Sequence, residues 1–223
     1  MEAPIIRRAV LSDIPYYYEI VLKNGNDGND ATDFFCNPYL LGHYYAAPYL
    51  LFKDGICFTV EHEYKPQGYI LSVPDTKEFY RWMEEEWLPP LRKRFPGPFP
   101  PEIIRSENER KVLTYIHECH FPVNAGDWYW IKDYPAHLHI DLLPGLQRKG
   151  LGSTLMHLLF DELSKISVSG IFLGVGIPNT NAIAFYKQLG FMQIDQKQDE
   201  YIMTKSLKTQ PQPGAEIKIS SHK

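Results

Sequence analysis

The stretch 137–153, HLHIDLLPGLQRKGLGS, is the feature that most constrains this chain. An alternating run suited to a strand breaks at Pro144-Gly145, and Gly150 and Gly152 stand where a helical stripe begins. Glycines at a strand-to-helix junction let backbone N–H groups converge on one point, because no Cβ blocks unusual φ/ψ or close approach. Such a junction suits an anion. Two familiar phosphate cradles fail on the letters. Gly145 and Gly150 have the Walker spacing, but Leu151 and Gly152 follow where Lys and then Ser or Thr are required. The dinucleotide fingerprint starts at Gly150 and Gly152 and meets Leu155 where a third Gly or Ala should pack helix on strand.

The next fifty residues supply context. Leu151, Leu155, Leu158, Leu159, Leu163 and Ile166 follow helical spacing and predict one buried face, with an end near Gly170. Residues 171–177, IFLGVGI, read as a strand covered on both faces. PNTNAIAFYKQLGF then supplies Pro178 and Asn179 as a helix start, a stripe at Ile183, Phe185 and Leu189, and Gly190 as the stop. The pattern Q/R-x-x-G-x-G/A at Gln147-Arg148-Lys149-Gly150-Leu151-Gly152 resembles motif A of the GCN5-related N-acetyltransferase (GNAT) superfamily. Asn179, Ala182, Phe185, Tyr186, Gly190 and Phe191 are similar to its motif B, N-x-x-A-x-x-F/L-Y-x-x-x-G-F. The core of the resemblance covers roughly 136–207. It implies acetyl-CoA as co-substrate, with no metal. It also implies coenzyme contacts: Leu142 and Leu143 pairing with pantetheine amides, the amides of Gln147, Arg148, Lys149, Gly150, Leu151, Gly152 and Ser153 holding the pyrophosphate, and Asn179 on the pantetheine arm. Arg148 and Lys149 would add charge attraction.

The remainder fits the same order. IIRRAVLSDIPYYYEIVLKN predicts a strand near 4–10 and a helix to about Asn24, with Ser12 or Asp13 as cap and Pro15 in the first turn. NGNDGND ends it. Cys57–Glu63 and 68–74 read as antiparallel strands joined by a turn at Lys65-Pro66-Gln67-Gly68, and the last strands fall at Phe191–Ile194 and Tyr201–Leu207. The resemblance therefore implies an α/β (α+β) GNAT fold: a central mixed, mostly antiparallel sheet of about seven strands flanked by helices. One domain spans 1–207, followed by a flexible polar tail at 208–223. A helical insert at 75–135 stands where the family joins its third and fourth strands by a short hairpin. Asp75 or Thr76 and then Ser106 serve as caps, PGPFPP as connector, and Val112, Ile116 and Cys119 lie on one helix face. The insert holds Trp82, Trp87, Trp128 and Trp130, all four tryptophans of the chain. It reads as an acceptor lid whose rings either wall a pocket or attach the insert to the sheet.

With AAPYLLF at 46–52 and PDTKEFYRWMEEEWLPPLR at 74–92, the chain more narrowly resembles the acetyltransferase-like domain that accompanies some O-GlcNAc hydrolases, and free-standing relatives of it. Animal versions of that domain are thought to have lost catalytic residues. Two function classes follow: an N-acetyltransferase acting on a primary amine by direct attack in a ternary complex, and a coenzyme-binding or scaffold domain without turnover. A lysine amine near pKa 10.4 is only about 0.1% free base near neutral pH, roughly 4 kcal/mol of deprotonation, so a proton acceptor is needed. The departing thiolate gains from a donor. By resemblance Tyr186 is the acid beside sulfur. Alternation puts His137, His139 and Asp141 on one strand face and Leu138, Ile140 and Leu142 on the other, which leaves three candidate bases.

Composition supports one sizeable core, with 44% hydrophobic and 14% aromatic residues in 223. No apolar run reaches membrane-spanning length and MEAPIIRRAV lacks a signal-peptide core, so the expected location is the cytoplasm, with access to the nucleus open. Cys36, Cys57 and Cys119 are odd in number without C-x-x-C spacing, which fits a reducing compartment. The net charge of −4 argues against a nucleic-acid partner. HECH at 117–120 lacks the H-E-x-x-H spacing of a zinc site. The expected partner is the amine acceptor, small molecule or protein. Oligomeric state is not readable.

Overall fold

The computed structural model describes residues 3–100, 102, 104–118 and 128–208. β1 (Ile5–Arg8) leads through a turn at Leu11–Asp13 into α1 (Ile14–Asn24), where Pro15 occupies a first-turn position that needs no N–H. Asp13 does not cap α1 with its side chain. It is buried, where its carboxylate accepts from the two terminal guanidinium nitrogens of Arg7 at 2.7 and 2.8 Å and from the Val10 N–H at 3.0 Å. α2 (Leu40–Tyr45) and α3 (Ala47–Leu51) precede the hairpin of β2 (Ile56–His62) and β3 (Lys65–Val73). Its turn lies two residues before the expected one, at Glu63 and Tyr64, both left-handed at φ 52° and 62°. Pro66 falls inside β3 beside a bulge, where an interrupted ladder tolerates its missing N–H.

The insert begins with α4 (Thr76–Trp82), capped by Asp75, whose carboxylate accepts from the N–H groups of Lys77 and Glu78. A wide π turn at Met83–Trp87 joins it to α5 (Leu88–Arg94). Pro89 and Pro90 explain the widening: neither donates to a carbonyl four residues back, and their rings would crowd those carbonyls in a regular turn. α6 (Glu107–Glu118) starts at Ser106, whose hydroxyl accepts from Glu109 N–H at 3.1 Å. Then follow β4 (Ala136–Leu142), α7 (Leu151–Lys165), β5 (Gly170–Gly176), α8 (Thr180–Gln188), β6 (Met192–Gln196) and β7 (Glu200–Ser206). Cys119, His120 and the tail beyond Lys208 lie outside the described residues.

The seven strands form one sheet in the order β1-β2-β3-β4-β5-β7-β6, antiparallel except for β4 and β5. That parallel pair is short. Only Ala136–Ile171 and His137–Phe172 are in register, and beyond them the two seven-residue strands separate and open a gap in the middle of the sheet. A core against α7 and α8 covers one face, with Leu138, Ile171, Leu155, Leu159 and Met203 fully or almost fully buried. A second core on the other face joins α1, α2, α3 and the insert through Tyr17, Tyr49, Phe79, Leu88 and Ile116. All four tryptophans belong to this second core or pack against it. Trp82 stacks on Trp87, Trp87 Nε1 donates to the His43 carbonyl at 2.8 Å, and Trp128 stacks on Trp130 and meets the edge of Phe172. The rings attach the insert to the sheet, as apolar surface on an added helical layer requires. Among the described residues no helix is long and apolar enough to cross a membrane, and no cluster of His, Cys, Asp and Glu is arranged to hold a metal.

Candidate active site

The gap between β4 and β5 opens a cleft of about 750 Å³ that passes through the sheet. On one side of it lie α1, the loop after α1, α6 and the β6–β7 turn; on the other lies α8. The ladder geometry fixes which backbone groups face it. Leu143 N–H donates to the Gln67 carbonyl at 2.9 Å, continuing the β3 register in which Gly68 faces Leu142. Alternate residues of an antiparallel ladder bond to a given neighbour, so His137, His139 and Asp141 pair with β3, while Leu138, Ile140 and Leu142 turn their amides toward the gap. Leu143, expected on the open edge, is not there. Its carbonyl also accepts, from Leu146 N–H at 2.9 Å. Ile140 stands in its place, beside Leu142, whose carbonyl receives Gln147 Nε2 at 2.8 Å.

Past the strand, Arg148 and Gly150 are both left-handed, at φ 59° and 79°, and turn the chain from β4 into α7; none of residues 142–153 is among those lining the cleft. Glycine tolerates this conformation without strain, and space around it is open: a Cβ built at Gly150 or Gly145 meets no atom within 4 Å. At Gly152 a Cβ would stand 3.3 Å from the Phe185 ring, so the small residue lets α7 and α8 approach. The first N–H groups of α7, at Leu151, Gly152 and Ser153, have no intrahelical acceptor, and no side chain caps them. Arg148 and Lys149 are exposed and have no carboxylate partner among the described residues. The arrangement concentrates donors and positive charge, as an anion requires. Asn179 caps α8 with its Oδ1, accepting from Ala182 N–H at 3.1 Å, which leaves its amide nitrogen toward Gly28 across the cleft.

The three candidate bases separate sharply. His137 is buried in the core and is not among the residues lining the cleft: Thr76 Oγ1 donates to the Pro135 carbonyl at 2.6 Å, so at 2.7 Å it must accept from His137 Nδ1–H. His137 Nε2 then accepts from Tyr49 O–H at 2.6 Å, and both ring nitrogens are satisfied. Burial holds its pKa well below the ordinary value. His139 lines the cleft between the rings of Tyr45 and Tyr49, and burial lowers its pKa to about 4, so it is neutral and weakly basic at pH 7. Asp141 also lines the cleft. Burial raises its carboxyl to about 6, against the smaller lowering effect of Tyr69 O–H, which donates to Oδ2 at 2.5 Å. Tyr69 is itself fully buried under the ring of Tyr17, so the pair is rigid.

Tyr186 enters the cleft from α8, on the opposite side from Asp141. Burial first, and the Asp141 charge second, raise its pKa, so the phenol keeps its proton. Of the insert, only Asn108, Lys111 and Val112 of α6 reach the cleft among the described residues, and no tryptophan does. The rest of the wall on the α6 side carries no expected site residue. It consists of the end of α1, Asp27 and Gly28 after it, Tyr45 of α2, and Asp199 and Glu200. One signal pointed there: Asp27-Gly28 between two asparagines is a two-residue turn dipeptide, here read only as a helix stop.

Residues 29–191 match the model of the acetyltransferase (GNAT) family. The [ribosomal protein bS18]-alanine N-acetyltransferase of Escherichia coli K12 is 36% identical over 74 residues, 33% of this chain and 50% of that protein. The chain thus spans about half the length of the curated relatives it matches. The crystal structure of SsHAT aligns with a TM-score of 0.80 at 27% identity, covering 93% of this chain and 100% of that one. The PaiA N-acetyltransferase from Thermoplasma acidophilum in complex with coenzyme A aligns at 0.55 and 13%, covering 92% and 99%.

Proposed function

The chain belongs to the acetyltransferase (GNAT) family, and from that premise we propose that it is an acetyl-CoA-dependent N-acetyltransferase of a primary amine, with Asp141 as base and Tyr186 as acid. The observation that carries this reading is the through-sheet gap, which Asp141 and Tyr186 reach from opposite sides. The residues suit the coenzyme: the free amides of Ile140 and Leu142 match a chain of amides, and the head of α7 with Arg148 and Lys149 matches a pyrophosphate. Bound acetyl-CoA would supply the activated acyl group and a thiolate leaving group. Asp141, ionised above pH 6, accepts the proton that an attacking ammonium must lose, and Tyr69 keeps its carboxylate oriented. Tyr186, protonated throughout the neutral range, is fit to donate to the departing sulfur. α6 with Lys111 would act as the acceptor lid. The segments 46–52 and 74–92 support a place near the acetyltransferase-like domains that accompany O-GlcNAc hydrolases.

Two measurements test this. A ligand at 100 times its Kd adds about 2.7 kcal/mol, so acetyl-CoA should raise Tm by roughly 5–11 °C while NAD leaves it unchanged. No shift at millimolar acetyl-CoA would refute the reading, and a shift without CoA release from any amine would leave a coenzyme-binding domain without turnover. Tyr186→Phe should lower kcat by about tenfold to a hundredfold with the acetyl-CoA Kd unchanged, since only proton donation is removed.

A further inference from the structure

The acceptor side of the cleft carries a charge pattern that names a substrate class, given the acetyltransferase reading above. The charged side chains lining the cleft are Asp27, Asp141, Asp199, Glu200 and Lys111, four carboxylates against one ammonium. Lys111 is already paired with Asp199 at 3.3 Å. Asp27 has no cation within ion-pair distance among the described residues. Glu200 has only Lys197, at 3.9 Å.

One of these carboxylates stands on a backbone turn. Asn26 and Asn29 exchange N–H to carbonyl bonds of 3.0 and 2.9 Å around Asp27 and Gly28, both left-handed at φ 51° and 86°, which makes a rigid two-residue turn. The turn lays Asp27 Oδ1 against Gly176, where any Cβ would collide with it. Two residues back on β5, a Cβ at Gly174 would stand 2.5 Å from Glu200 Oε2. The two glycines therefore clear a floor on which both carboxylates rest. The cleft also holds a neutral acceptor. Asn24, only 7% exposed, donates its amide nitrogen to the Ile20 carbonyl at 2.8 Å, and its Oδ1 has no partner among the described residues while the side chain lines the cleft.

All of these oxygens call for donors. An ammonium offers three donors and no acceptor, whereas a carboxylate tail would meet mostly like charge, with Lys111 already paired to Asp199. A peptide fits poorly, because its carbonyls would face carboxylates. We propose that the acceptor is a small di- or polyamine: Asp141 serves the reacting nitrogen, while Asp27, Glu200 and Asn24 Oδ1 hold a second ammonium.

The test compares 1,4-diaminobutane, 1-aminobutane and a free alanyl peptide as acceptors with acetyl-CoA, following thiol release. The diamine should exceed the monoamine in kcat/KM by about tenfold or more at low salt, an advantage that added salt erodes. Asp27→Asn should bring that ratio to within about twofold, and Asn keeps the left-handed turn because it tolerates positive φ. Equal rates for the two amines, a ratio unmoved by Asp27→Asn, a peptide that outruns the diamine, or no reaction by any amine would each overturn the proposal. Absence of acetyl-CoA stabilisation in the same preparation would instead overturn the acetyltransferase reading on which it rests.

Discussion

Asp141→Asn is expected to lower kcat/KM by about 10²–10⁴-fold, the range that a positioned general base contributes, with acetyl-CoA binding unchanged. The substitution keeps the shape of the side chain and can still accept from Tyr69 O–H, so the loss reads proton acceptance rather than packing. The pH profile identifies the group. In the wild-type protein kcat/KM should rise with pH through about 6, the value to which burial raises Asp141, whereas His139, lowered to about 4, would place the limb two units below. A limb near 4 would remove Asp141 from the role. Stability should move the opposite way. Because the folded pKa of Asp141 is raised, the native state binds its proton more tightly than the unfolded chain does, so ionisation between pH 4 and 6 weakens the fold. Above pH 6 that penalty is full, about 2–3 kcal/mol. Asn cannot ionise, and Asp141→Asn should raise Tm at pH 8 by about 4–12 °C, with the gain vanishing toward pH 4. Lower activity with higher stability is the signature of a group held for chemistry.

Phe79→Ala should be the most destabilising single change in the insert, by about 3–5 kcal/mol, with Tm lower by roughly 6–20 °C. Phe79 is fully buried on α4, and its ring touches Tyr49, Phe52, Tyr80, Trp82 and His137. Truncation leaves a cavity that these large, mutually wedged rings cannot close. Because His137 is locked to Tyr49 and Thr76 in the same cluster, the disturbance reaches β4. Thermal unfolding followed by circular dichroism measures it. A loss under about 1 kcal/mol would mean that α4 is a separable appendage; the expected loss makes it part of the core that shapes the cleft.

The strand, glycine turn and helix at 136–165 were legible because their signals are local: alternation, Pro144-Gly145, and a helical stripe after Gly152. The β2–β3 turn was misplaced because Glu63-Tyr64 carries no turn signature, while Pro66 and Gly68 nearby do. Alternation correctly grouped His137, His139 and Asp141 on one face. It could not rank them. Depth along that face depends on Tyr49, Thr76 and Tyr80, which belong to helices far away in sequence. The carboxylates opposite the cradle escaped for the same reason, since Asp27 and Glu200 meet only through the glycines of β5. Their juxtaposition is a property of the closed sheet and has no trace in either segment alone.

The gap between β4 and β5 also bears on how the protein avoids its own kind. An unpaired strand edge invites another chain to add a strand, and sheets usually blunt theirs at the periphery with short or charged strands. Here the outer strands follow that rule: β1 has four residues, two of them arginines, and β6 has five. The edges that β4 and β5 turn toward each other beyond His137 and Phe172 are instead enclosed, with Val21 of α1 and Tyr186 of α8 lining the cleft between them. The parted strand edges at the centre of the sheet are thus shielded from pairing with another chain.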